Sequence, residues 1–325
     1  MLTRLLRGLL ALAIAGPLAA QTPTPALSPP TPAPAACPPQ AQVPGPQQLQ
    51  AAQAQARDRG ALWRLEREGR TSWLYGTLHV GKLEWAFPGP QVLQALRSSD
   101  SVALELDVSD PALAQQLRDG LAGPAPTPPA ALQQRLDRQI AAACVPAAAF
   151  AALHPLQQGM ALLLLDARWI GLDPGYGVEH VLAGFAKSSR RPLIALETAR
   201  QQLQALAPAT PEEALRALDG TLTLLESGRS REVLARLAQA WADGDLDTVA
   251  RYESWCDCAT TDDDRAALRR LNDGRNPHLA DRIAALHGEG RRLFAAVGLL
   301  HMTGEQALPR LLAERGFRVA RVPLQ

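Results

Sequence analysis

Beyond its first twenty residues the chain holds no apolar run of the roughly 20 residues that a bilayer-spanning helix needs, so a spanning protein is not expected. Neither sign of charge dominates, with 33 Lys and Arg against 32 Asp and Glu. A nucleic-acid footprint or a polybasic membrane patch would require a basic excess, and neither partner is expected. There is no Gly-x-Ser-x-Gly elbow, no Walker loop, no Gly-x-Gly-x-x-Gly and no His-Glu-x-x-His. The serine-hydrolase, P-loop NTPase, dinucleotide-binding and zincin classes therefore lose their sequence support. Cysteine is scarce, four in 325 residues, and no histidine lies close to the Cys256/Cys258 pair, which argues against a thiolate metal centre.

The amino end has the make-up of a secretory signal. Arg4 and Arg7 precede an apolar core over residues 9–18, and Ala19-Ala20 stands before Gln21. Cleavage is expected near Ala20, with the mature chain in the periplasm or outside the cell and no membrane insertion afterwards. Loss of Arg4 and Arg7 leaves 31 basic against 32 acidic residues. Residues 21–47, rich in Pro, Ala, Thr and Gln without apolar periodicity, read as a disordered linker, and residues 48–325 as the folded domain. Cys37, Cys144, Cys256 and Cys258 predict disulfides in an exported chain. A bridge between Cys256 and Cys258 would close a very small ring, so each is expected to pair with one of the other two.

What the sequence does hold is one motif written twice. Ser72-Trp73-Leu74-Tyr75 runs into Gly76-Thr77-Leu78-His79, and Phe294-Ala295-Ala296-Val297 into Gly298-Leu299-Leu300-His301. Each is a strand-length apolar run followed by Gly-x-x-His, which places each histidine just past the C-terminal end of a strand. A helical pattern and a further strand follow each. After His79 come Val92, Leu93 and Leu96, then Val102-Ala103-Leu104-Glu105-Leu106; after His301, Thr303 and Gln306 have capping-box spacing, and Gly316 ends the helix before residues 317–322. Strand-helix-strand units of this length are parallel, so Glu105 is expected on the same sheet edge as His79. A third run, ending in Leu196-Glu197, supplies a second carboxylate. Ligands bind at this edge in open α/β sheets.

The remaining segments are expected to be helical. Residues 48–68 read as a helix ended by Gly69, and residues 110–173 and 211–286 as helical insertions. Residues 161–165 with Trp169 look the most buried part of the first insertion. In the second, Leu234, Leu237, Ala238 and Trp241 share a face that Gly244 interrupts, and Thr260-Thr261 with Asp262-Asp263-Asp264 reads as a helix start. The fold class is α/β, a central and mostly parallel sheet made from two strand-GxxH-helix-strand units.

Gly76-Thr77-Leu78-His79, Leu104-Glu105-Leu106-Asp107, Gly177-Val178-Glu179, Leu196-Glu197-Thr198, Arg275-Asn276 and Val297-Gly298-Leu299-Leu300-His301 together resemble the TraB/GumN family over residues 63–322. That family is related to the Tiki metalloproteases and to the ChaN and erythromycin-esterase folds. The resemblance implies a site of His79, His301 and Glu105, and divalent-metal-dependent peptidase chemistry of the Tiki kind. Where relatives usually show Gly-x-Asp, this chain has Gly177-Val178-Glu179.

The residue types alone lead to similar chemistry. Imidazole and carboxylate together suit Mn, Co, Zn or Fe, and hydrolytic ions need a nearby spare carboxylate as base. His79, His301 and Glu105 are the expected ligands and Glu197 the base or an orienting partner, the two glutamates being interchangeable at this stage. Arg275 and Asn276 are expected to meet substrate or orient a carboxylate, and Tyr75 to line the pocket. The leading expectation is an exported, metal-dependent hydrolase of peptides or other small envelope substrates. Two others stand beside it: a non-catalytic envelope binding protein for a peptide, polysaccharide precursor or haem-like ligand, and a metal-free, esterase-like hydrolase.

Overall fold

The computed structural model describes residues 37–107, 110–120, 126–151 and 153–324; the signal expected over residues 1–20 lies outside them. Within the described residues six strands form one sheet: β1 (Ala61–Arg67), β2 (Arg70–Thr77), β3 (Ser101–Leu104), β4 (Leu193–Ala195), β5 (Leu293–Gly298) and β6 (Arg318–Val322), in the order β4-β3-β5-β2-β1-β6. β4, β3, β5 and β2 are mutually parallel, and β1 runs antiparallel to both β2 and β6. The α/β class is as expected, and β2 and β3 run parallel. They are not neighbours, because β5 lies between them. Covered on both faces, β5 buries Leu293 to Val297 completely, and this is why it reads as an unbroken apolar run.

β1 takes the place of the last third of the helix expected over residues 48–68. Only α1 (Pro46–Ala54) is helical there. Glu68 and Gly69 have φ of 53° and 71°, a two-residue hairpin loop with both φ positive, which suits the twist of paired strands. β1 then gains hydrogen-bonded neighbours on both sides, which outweighs its helix-like spacing of apolar residues.

Helices fill the connections. α2 (Pro90–Ser98) links β2 to β3. The first insertion holds α3 (Pro111–Gly120), α4 (Ala130–Ala142) and α5 (Pro155–Asp166), and α6 (Val178–Ser188) leads into β4. After β4 come α7 (Ala199–Leu206), α8 (Pro211–Ser227), α9 (Arg229–Asp243), α10 (Leu246–Ala250), α11 (Asp262–Leu271) and α12 (Asn276–Gly288). α13 (Leu308–Glu314) joins β5 to β6. It starts later than the Thr303/Gln306 box implies, because residues 299–302 form a 3-10 turn and the helix opens after Ala307 with Pro309 in its first turn. The expected start at Thr261 does occur, its hydroxyl accepting the Asp264 N–H.

The insertions pack on each other as well as on the sheet. Leu136, Ile140, Leu162, Leu218 and Leu222, from α4, α5 and α8, make a second core separate from the one against the sheet. Trp169 is not buried as expected: it is 37 % exposed, with the Arg231 guanidinium 5.1 Å from its ring. Burial over residues 161–165 is likewise partial, and Leu162 is the one fully covered position among them.

The disulfide expectation is overturned, for Cys37 pairs with Cys144 and Cys256 with Cys258. Asp257 adopts a left-handed φ of 53°, which folds the chain back and brings the flanking Cα atoms within 5.0 Å. Cys144, also left-handed just beyond α4, meets Cys37 at a Cα separation of 5.7 Å. The bridge at Cys37 and the Ala41 N–H donated to Asp173 Oδ2 at 3.2 Å tie down the described end of the segment expected to be a linker.

Candidate active site

Parallel pairing sets Thr77 opposite Gly298, so both Gly-x-x-His turns leave the same edge of the sheet side by side. The glycines make the close approach possible. A Cβ at position 76 would come 2.8 Å from Leu299 Cδ1, and one at position 298 would come 3.3 Å from Glu105 Oε1. The Gly298 N–H instead donates to Glu105 Oε1 at 2.8 Å. Glu105 follows β3 directly, and the Glu197 N–H donated to the Glu105 carbonyl at 3.0 Å carries the β3/β4 pairing on to the second glutamate.

A cavity of about 560 Å³ opens at this edge. His79, Glu105, Glu179, Arg275 and His301 border it together with Thr77 and Gln202, and leucines from the insertion helices face them.

His79 is held at one nitrogen. Its Nδ1 lies 3.0 Å from Glu179 Oε1, which also accepts the Thr77 hydroxyl at 2.5 Å. The Val178 N–H donated to the Leu78 carbonyl at 2.9 Å docks the start of α6 on the first turn and so aims Glu179. The His79 side chain stays 61 % exposed to the cavity, yet the Glu179 charge pushes its pKa up, to about 9. Burial works against the Glu179 charge, but the His79 charge and the hydrogen bonds from His79 and Thr77 prevail and hold the carboxyl below its usual range.

His301 is buried, and its tautomer follows from its neighbour. Asn276 Nδ2 donates to the carbonyls of His301 (3.2 Å) and Gln306 (2.7 Å), which turns Asn276 Oδ1 toward His301 Nδ1 at 2.6 Å. Nδ1 therefore carries the proton and donates it, and Nε2 is the acceptor. Arg275 Nη1 lies 3.2 Å from that Nε2. Burial pushes the His301 pKa down to about 4, so the ring is neutral near pH 7.

Arg275 joins the two glutamates. Its Nε reaches Glu197 Oε1 and Oε2 at 3.1 and 3.2 Å, and its Nη2 bridges Glu197 Oε2 and Glu105 Oε2. Burial opposes the charges here, but Glu197 and Glu105 raise the Arg275 pKa further and keep it a cation. Burial likewise disfavours the Glu105 carboxylate, while His301, Arg275, His79 and the Gly298 N–H bring its pKa down to about 2.

Of the residues singled out in the sequence, His79, His301, Glu105 and Arg275 meet at the cavity. Glu197 lies behind Arg275, 4 % exposed and off the cavity lining. Asn276 is fully buried and positions His301 rather than facing the cavity. Tyr75 turns into the core, donating its hydroxyl to the Arg59 carbonyl at 2.8 Å and packing 5.6 Å from the Phe294 ring centroid. Glu179 is the functional group that sequence reasoning left without a role. Its position in the first turn of a helix after Gly177 was the available signal. His180 also borders the cavity.

The donor types suit a divalent cation, since each imidazole is anchored at Nδ1 and a carboxylate stands nearby. The arrangement does not: among the described residues no three His, Cys, Asp or Glu side chains gather in a metal-holding group, and Arg275 lies between Glu105 and His301.

The sequence has recognisable relatives. A family model described as the TraB/PrgY/gumN family matches residues 61–321. An uncharacterized protein, YbaP, of Shigella flexneri is 28 % identical over 253 residues, covering 75 % of this chain and 88 % of its own length. YbaP of Escherichia coli (strain K12) is 27 % identical over 249 residues, with 74 % and 86 % covered. No solved structure matches the chain at a significant level.

Proposed function

The chain belongs to the TraB/PrgY/gumN family, and from that premise we propose that it is an exported hydrolase of carboxylic amide or ester bonds, with His79 and His301 as its acid and base. The observation that carries this reading is that two histidines from different strands border one cavity, each held at Nδ1 by a buried partner, Glu179 or Asn276. In each ring the anchoring at Nδ1 leaves Nε2 as the nitrogen for proton transfer, that of His301 lying 3.2 Å from Arg275 Nη1. Their surroundings also drive them apart in proton affinity, a pattern that assigns acid and base roles.

In this mechanism the Arg275 Nη1–H, 3.2 Å from His301 Nε2 at rest, turns to the substrate carbonyl oxygen, and the neutral His301 then accepts the proton of the attacking water at Nε2. His79, protonated and backed by Glu179, donates a proton to the leaving nitrogen or oxygen. The Arg275 cation, restrained by Glu105 and Glu197, meets the negative charge that develops on the carbonyl oxygen. Glu197 therefore acts through Arg275. Two disulfides agree with export to an oxidising compartment. No helix among the described residues is long and apolar enough to cross a membrane.

A second reading keeps the residues and adds a divalent cation, Mn, Co or Zn, held by His79, His301 and Glu105. The Nδ1 anchoring of both imidazoles favours it, because metal-binding histidines are oriented in this way. Such an ion would supply Lewis acidity, and Arg275 would have to leave its place beside His301 Nε2.

Purified mature protein, with His79→Ala and His301→Ala variants, tests both readings against amide and ester substrates. Each substitution is expected to lower kcat/KM by about 10²–10⁴ with an unchanged circular dichroism spectrum. Full activity in both variants, or ligand binding without turnover in the wild type, would overturn the hydrolase reading. Activity that disappears with a chelator and returns with Mn, Co or Zn would select the second reading, and elemental analysis of the protein should then find the ion.

A further inference from the structure

The cavity has two unlike sides. Its imidazoles, carboxylates and guanidinium gather at the sheet edge, while the surrounding helices contribute Leu113 and Leu117 from α3, Met160 and Leu164 from α5, Gln202 and Leu206 from α7 and Leu237 from α9. The first four form two i,i+4 pairs, so two helices each turn an apolar stripe toward the same space. Those four residues are only half-buried in the protein, although Leu162 on the same α5 is covered by its neighbours. Their missing cover is the cavity itself.

The lining restricts what can provide that cover. Among the described residues it contains no Phe, Tyr or Trp, so a sugar or nucleobase ring finds no phenyl, phenol or indole platform, and none of the lining residues of α3 and α5 is planar. Among the described residues, the lining side chains of α3 and α5 offer no N–H or O–H donor and no oxygen or nitrogen acceptor. A peptide backbone lying there would desolvate N–H and C=O groups without replacing their hydrogen bonds, at a cost for each group. A chain of methylenes carries no such groups. The cavity, at about 560 Å³, has the size of an ordinary small-molecule site.

We propose that the cavity takes an unbranched aliphatic acyl chain, so that the substrates are amides or esters of medium-chain fatty acids, with the carbonyl at the sheet edge and the chain against α3 and α5. The scissile bond in this statement rests on the hydrolase reading above; the chain site does not.

The test is a series of p-nitrophenyl esters and p-nitroanilides of acetic, butyric, hexanoic and octanoic acids, assayed with the mature protein, beside calorimetric binding of octanoate and acetate. kcat/KM is expected to rise about fourfold per added methylene, the value of burying one CH₂, and octanoate to bind where acetate does not. Leu117→Trp and Met160→Trp, which fill the chain site from different helices, should each shift the preference toward shorter acyl groups. A flat series with equal binding of the two acids overturns the proposal, as does faster cleavage of leucyl anilides than of octanoyl anilide. Octanoate binding with no turnover of any member overturns the hydrolase reading and leaves the chain site standing.

Discussion

At the scale of single residues, Asn276 decides the state of His301. An amide at Nδ1 accepts one proton without adding charge, and burial then keeps the ring neutral. A carboxylate there would stabilise the imidazolium. Asn276→Asp should therefore raise the His301 pKa from about 4 toward neutrality, read as the pH midpoint of its imidazole resonances by NMR. Asn276→Ala should leave the His301 and Gln306 carbonyls and the Nδ1–H without partners, at about 1–3 kcal/mol for each unsatisfied group, read by urea denaturation. An unchanged His301 midpoint in the aspartate variant would remove Asn276 from its positioning role. Sequence reading found Arg275-Asn276 as a pair but could not divide its work. One side chain faces the cavity and its neighbour faces a backbone turn, a difference set by the first turn of α12 and not by residue type.

At the scale of elements, the hairpin of β1 and β2 shows where local pattern and final structure part. Apolar spacing over residues 48–68 has helical character, and β1 becomes a strand because β2 and β6 bond it on both edges. Gly69 is the local feature that agrees with the outcome. Nothing lies within 4 Å of a Cβ added there, so a substitution meets only the cost of a left-handed φ of 71°. Gly69→Ala should destabilise by about 1–2 kcal/mol, and Gly69→Asn by less, since asparagine tolerates this region. Urea denaturation of the two variants measures the difference, and equal losses would mean that something other than backbone conformation is at work. β2 and β5 were legible as strands because aromatic and β-branched residues run into a glycine at or next to the strand end. The start of α13 was not, since the Gln306 backbone is engaged by Asp273 and Asn276, which are remote in sequence.

At the scale of the whole molecule, the two histidines should mark the limits of stability in pH. His79 has its folded pKa raised to about 9, above its unfolded value of about 6.5. Its contribution is fully present below about 6.5 and is lost as pH rises through about 9. His301 is depressed to about 4. The unfolded chain then binds a proton that the folded one refuses, so stability falls as pH drops from about 6.5 toward 4. Glu179 has a lowered pKa, and its contribution is present above the unfolded carboxylate range and lost as pH falls through its folded value. Denaturation midpoints should therefore peak at about pH 6.5 and fall on the alkaline side toward about 9 and on the acid side toward about 4. His301→Gln should flatten the acid side and His79→Gln the alkaline side. Profiles that move together in the two variants would contradict this division.

The sequence by itself determined the two Gly-x-x-His strand ends and the helical character of both insertions, because each is written in contiguous residues whose period or turn chemistry is local, and it showed the family through the order of several short motifs. It also carried His79, Glu105 and His301, as residues at the C-terminal edge of a parallel sheet, and Arg275, as a guanidinium suited to orient a carboxylate or meet substrate. Only the tertiary structure decided that β5 lies between β2 and β3, that Cys256 bridges to Cys258, that Tyr75 faces the core and that Glu179 holds His79. These depend on which remote segments share space and on backbone angles at single residues such as Asp257. Strand order and side-chain direction are settled by burial and hydrogen bonding across the whole chain.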